Sequence, residues 1–138
     1  MQIVAGQRPT SVDQSIVAAC RAELDWALND WRRLNPGVVH DARLMGPHPS
    51  EASRLPHEHA AATVLKVWGH LHPIETRIVA CATRLVAQRN AGWTDRAAAT
   101  LTDLRWYLAE RVTLRAGFDV AAAEYLAARA AVDMPIAA

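Results

Sequence analysis

The chain has 138 residues, 51% of them hydrophobic and 21% charged, with a formal net charge of +1. A chain this long can bury about 70% of the surface it exposes when unfolded, so it needs neither a disulfide nor a metal to fold, and its composition excludes a disordered tail protein. The near-neutral balance gives no compositional case for a nucleic-acid or acidic-surface binder, and no apolar stretch approaches the ~20 residues of a membrane span. Fourteen arginines stand against one lysine, Lys66, a bias that reads as compositional before it reads as functional. The start, Met-Gln-Ile-Val-Ala-Gly, lacks the basic and apolar regions of a secretion signal. The expectation is a single helical domain over 1–138, cytoplasmic, with Cys20 and Cys81 as buried free thiols.

Five segments have helical periodicity and none alternates as a strand. The first is expected over 12–34. Ser11 and Gln14 form a capping box, and Ile16, Val17, Cys20, Leu24, Ala27, Leu28, Trp31 and Leu34 share one face. Asn35-Pro36-Gly37 is read as its stop. The stretch 36–55, with three prolines and two glycines, is read as a long irregular loop, and such loops are often functional. Helix 56–71 opens on Pro56. The residue before a proline is pushed out of helical geometry, so a corner is expected at His72-Pro73 before helix 73–90. Gly92 and Thr94 separate it from helix 95–116. Gly117 and Asp119 separate that from helix 119–132. The fold class is therefore all-α, an antiparallel bundle of about five helices.

The histidines invite a metal reading. His57 and His59 are two residues apart, as are His70 and His72, whereas two ligands on one helix need a spacing of three or four. His59 and His70 are separated by about 16 Å of helix. No single ion spans the two pairs. The better constellation draws on the loop: His40, Asp41, His48 and His57 are candidate metal ligands, and His40, His48, His57 and Glu75 are candidate acid/base groups near the expected 70–75 corner. The plainer reading has Glu75 as a first-turn carboxylate and His57 as a core or cap residue. No cofactor is expected.

Arginine is dense between 76 and 115, and Arg77 and Arg84 share a face. Such a stripe suits phosphates or an acidic protein surface, but no nucleic-acid-binding signature accompanies it. The tryptophans carry more. Trp31 and Trp68 lie on core faces. Trp26 projects among Glu23, Asp30 and Arg33, Trp106 stands off the Leu101, Leu104, Leu108, Val112 stripe, and Trp93 sits in a turn. Tryptophan and arginine are the residues most enriched at binding hot spots. Helix 95–116 is apolar on more than one side, as expected of a central helix or one shared with a second subunit.

No nucleophile elbow, phosphate loop or CxxC motif is present. The expected function is a non-enzymatic interaction, adaptor or regulatory protein that binds another protein or itself, a homodimer being one form of this, with Trp26, Trp106, Arg77, Arg84 and Arg33 as binding residues. The alternatives are a small metal- or acid/base-dependent enzyme and a nucleic-acid-binding regulator using the Arg77/Arg84 face. No membrane partner is expected.

Overall fold

The structure, a computed structural model, describes residues 7–43 and 55–133. It contains three helices, α1 (Gln7–Arg43), α2 (Pro56–Asn90) and α3 (Thr94–Asp133), and no strand among the described residues. The all-α class holds, but the count of five does not. Helix α1 begins upstream of the expected Ser11 cap and runs through Pro36, α2 runs through Pro73 and α3 through Gly117. The expected loop 36–55 is helical as far as Arg43; residues 44–54, including the candidate His48, lie outside the described residues.

The reason is that the buried stripe does not reset at any of the three expected breaks. On α2 the residues His57, Ala61, Val64, Trp68, Leu71, Glu75, Ile78, Ala82 and Leu85 are all buried, and they follow one another by four and three in strict alternation. A corner at Pro73 would turn half of that stripe into solvent. Losing it outweighs the ~3 kcal/mol that a proline costs inside a helix. The same spacing carries Cys20, Leu24, Ala27, Trp31, Leu34, Val38 and Asp41 across Pro36, with every member buried or half-buried. On α3 it carries Leu104, Tyr107, Arg111, Leu114, Phe118, Ala121 and Tyr125 across Gly117. Pro36, Pro73 and Gly117 themselves are exposed. Alternating steps of three and four are the register of helices packed side by side, knobs into holes.

Two turns of chain are set locally. At the end of α2, Gly92 takes φ of 77°. The Trp93 N–H donates to the Gln88 carbonyl at 2.9 Å and the Gly92 N–H to the Arg89 carbonyl at 3.1 Å. This is the Schellman arrangement, which requires a left-handed residue at that position. At the start of α2, the Glu58 carboxylate accepts from the Leu55 N–H at 3.3 Å. The Leu55 carbonyl accepts from the N–H groups of Glu58 and His59. Half a capping box thus fixes the helix start at Pro56.

The packing divides into two units, Met1–Leu28 with His72–Val112, and Asn29–Leu71 with Thr113–Ala138. In the first, Cys20, Ala27, Ile78, Cys81, Ala82, Leu85, Ala97 and Leu104 form the core. In the second, Val38, Val64, Leu71, Phe118 and Ala121 do so. There Trp31 stacks on Trp68, with centroids 5.1 Å apart and planes at 11°, and Phe118 tilts onto Trp68 at 5.7 Å. No described helix is long and apolar enough to cross a membrane.

Candidate functional site

Two buried assemblies hold some of the candidate residues, and the other described candidates lie on the surface. The first, in the second unit, centres on Asp41, whose side chain is 2% exposed. It accepts from the Tyr125 hydroxyl at 2.8 Å. His40 Nδ1 lies at 3.1 Å and Arg129 Nη1 at 3.4 Å. Burial pushes the Asp41 carboxyl upward, but the hydrogen bonds from Tyr125 and His40 and the charges of Arg129 and His57 more than offset this and hold it below its usual value. Burial and the bond to Asp41 push the Tyr125 phenol up to about 12. His57 is buried, and its Nδ1 has no hydrogen-bond partner among the described residues. His40 and Asp41 are in direct contact, and His57 acts on Asp41 through its charge alone, while His40 itself stays 73% exposed. Among the described residues no three His, Cys, Asp or Glu side chains are placed to hold a metal ion.

The second assembly, in the first unit, contains Glu75. It is fully buried within the heptad stripe of α2, with Arg111 Nη1 3.6 Å from Oε1. That pair and Glu23 act electrostatically on the neighbouring Cys20 thiol, which burial pushes above its ordinary value. Burial does the same to Cys81. Both cysteines are free and buried, and a thiol so placed is held in its inert protonated form.

The other candidates stand at exposed positions of the two units. Of the five tryptophans, Trp26, Trp93 and Trp106 are 58%, 51% and 57% exposed. Trp93 carries the Arg96 guanidinium 4.8 Å from its ring centroid. Trp106 packs edge-on against Tyr107 at 5.3 Å, and Arg77 lies 6.0 Å over that tyrosine. Trp106 and Arg77 are thereby joined through Tyr107. Arg84 is exposed on α2, and Arg33 is exposed on α1 in an ion pair with Asp30.

Trp106 belongs to a pattern that does not emerge when each helix face is read alone. In the first unit Ala99, Thr102, Trp106 and Ala109 are all exposed and uncharged. In the second, Thr113, Ala116, Val120, Ala123, Ala127 and Ala130 are likewise exposed and uncharged. Successive members are three and four residues apart, the same heptad register as the buried stripe on the opposite side of α3. The helix carries two seams, one inward and one outward. The signal lies in the spacing, once it is followed past Gly117. A shorter uncharged stripe on α2, Pro73, Thr76, Ala80, Thr83 and Ala87, holds no large apolar side chain and offers little area to bury.

Beside the outer seam of the second unit lies a groove of about 570 Å³ between α1 and α3. Leu34 and Phe118 line it with Ala122, Ala123 and Leu126, and Asp30, Arg33 and Asp119 stand at its rims. Leu126 is 54% exposed, and Val120, on the outward seam, is 59% exposed. Half-buried Arg115 pairs with Asp30 and reaches Asp119 at 3.4 Å.

In comparisons with known proteins, no family model, curated protein or solved structure matches this chain.

Proposed function

We propose that this protein acts by helix-to-helix contact, as a non-enzymatic interaction module that associates with itself through the outward seam of α3. The observation that carries the reading is the run of exposed, uncharged a- and d-type positions, above all Thr113, Ala116, Val120, Ala123, Ala127 and Ala130 in the second unit. A helix facing water carries charges on its outer side. Small residues at heptad spacing instead let a second helix approach closely, and the larger Val120 supplies buried area. In the first unit, Trp106 on its own four-residue run is the kind of indole that becomes a hot spot when covered.

The Asp41 assembly does not compete with this reading. Its carboxylate is committed to Tyr125, His40 and Arg129 and reads as a buried fastening between α1 and α3.

Sedimentation equilibrium tests the proposal. The wild-type chain is expected to associate, and Ala116→Glu or Ala123→Glu to shift it to monomer with an unchanged helical spectrum. Lys66→Glu, on the exposed side of α2, leaves association as it was. A wild-type chain that stays monomeric up to ~1 mM, where an association of only about 4 kcal/mol would show, overturns it.

A further inference from the structure

We infer that the self-association pairs unlike helices of the first unit. The α3 helix of one copy lies antiparallel on the outward side of α2 of a second copy, and the reverse contact forms across a two-fold axis running along the helices. The inference rests on the reading of α3 as a self-associating helix and adds to it the acceptor, the direction and the register. It is drawn within the first unit alone.

Two short rows of like charge border the outer groove between α2 and α3. Arg77 and Arg84 stand seven residues apart on α2, and Asp103 and Glu110 seven residues apart on α3. Seven residues are about two turns, so each row keeps to one side of its helix. Arg77 leans over Tyr107 of α3, and Arg84 and Asp103 both act electrostatically on the same buried thiol, Cys81. The basic row and the acidic row therefore both lie on the α2–α3 side. Arg77, Arg84 and Asp103 are exposed and Glu110 is half-buried. None of the four has an ion-pair partner among the described residues.

A second copy supplies what each row lacks. Within the unit, Glu75 meets Arg111 and Arg77 meets Tyr107. These contacts put Arg77 near the level of Glu110, and Arg84, two turns on, near that of Asp103. A two-fold axis along the helices keeps every residue on its level and exchanges the two sides. It lays α2 of one copy over α3 of the other, antiparallel, because the two helices of the hairpin already run in opposite directions. Arg77 then faces the second copy's Glu110 and Arg84 its Asp103, and symmetry makes each pair twice. An axis across the helices would instead stack α2 on α2 and α3 on α3, setting arginine against arginine and acid against acid. Such charges fix register and orientation more than they add affinity. The area comes from Trp106, 57% exposed, which the same placement brings onto Ala80 and Thr83 of the second copy's α2. Those positions are exposed, small and uncharged; too slight to associate with one another, they let a large ring approach closely.

Two charge-swapped chains test the inference by sedimentation equilibrium. Arg77→Glu with Arg84→Glu makes both rows acidic, and Asp103→Arg with Glu110→Arg makes both basic. Each chain alone is expected to associate about a hundredfold more weakly than the wild type, and the two mixed in equal amounts to form a mixed dimer near wild-type strength. The first swap leaves α3 untouched, so a contact of α3 with α3 would not register it. Helical spectra and thermal melts confirm that both chains fold. The wild-type chain gives a second measurement that needs no substitution: raising salt from about 0.05 M to about 0.5 M should weaken association about tenfold. Acidic-row chains that associate as the wild type does, folded swapped chains that do not join, or wild-type association indifferent to salt overturn the pairing of α2 with α3 and leave the α3 seam standing as the contact. Absence of association in the wild-type chain removes the seam reading, and this inference with it.

Discussion

The phenol of Tyr125 fills the space that a side chain at position 37 would occupy: a Cβ built on Gly37 would lie 2.6 Å from the Tyr125 hydroxyl oxygen. Glycine inside a helix costs about 1 kcal/mol relative to alanine, and here it lets Tyr125 pass over α1 to reach Asp41 one turn further on. The dipeptide Pro36-Gly37, which by local rules ends a helix, instead makes the slot that joins α1 to α3 in the second unit.

Gly37→Ala should therefore destabilise the protein although alanine is the better helix former. The added methyl displaces the Tyr125 hydroxyl from a buried carboxylate, and the expected net loss is about 1–3 kcal/mol. Gly69→Ala is the counterpart, because nothing lies within 4 Å of its Cβ; a gain of about 0.5–1 kcal/mol is expected there. Urea midpoints moving in opposite directions would bear this out, and midpoints moving together would refute it.

The same fastening sets limits of pH on both sides. Asp41 is held below its ordinary value of 3.8, so the unfolded chain takes up its proton first as acid is added. Its contribution is complete above pH ~4 and is lost as pH falls through the lower folded value. Tyr125 is held at about 12 against an ordinary 10.0, so the folded state keeps a proton that the unfolded chain releases. That contribution is complete below pH ~10 and is lost as pH rises toward 12. Melting temperatures followed across pH should show Asp41→Asn flattening the acid limb and Tyr125→Phe the alkaline limb. A Tyr125→Phe protein with the wild-type alkaline limb would count against the assignment.

Glu75 and Arg111 give a third outcome. Arg111→Leu takes away the positive charge beside a fully buried carboxylate and should cost about 3–5 kcal/mol. Replacing both residues by leucine removes the buried carboxylate along with its counter-charge, and the double variant should be more stable than Arg111→Leu alone. Chemical denaturation of the two variants and the wild type decides it: a double variant no better than the single one would mean that Glu75 owes its place to something other than this pair.

Much of this is legible in the chain. The helical class, the inward faces of Cys20, Ala27, Trp68 and Leu104, the left-handed turn at Gly92 and the outward position of Trp26 and Trp106 all follow from periodicity and turn chemistry. What misleads is giving Pro36, Pro73 and Gly117 priority over the stripes that run through them. A single breaker costs a few kcal/mol at most, whereas the heptad register of α2 commits nine buried side chains. Sequence alone can nominate His40, Asp41 and His57 as neighbours, but Tyr125 and Arg129 sit more than eighty residues from Asp41, where spacing carries no information. Glu75 reads as a first-turn charge only if a helix begins at Pro73; in mid-helix it falls on the buried stripe.

The turn at 91–93 has a consequence for how the chain assembles. It joins two long helices through three residues, so pairing α2 with α3 in the first unit closes almost the smallest loop that two helices permit. Contacts that near in sequence form early, since little chain entropy is lost in making them. The hairpin around Gly92 is therefore the natural nucleus, and α1 is the element that arrives last.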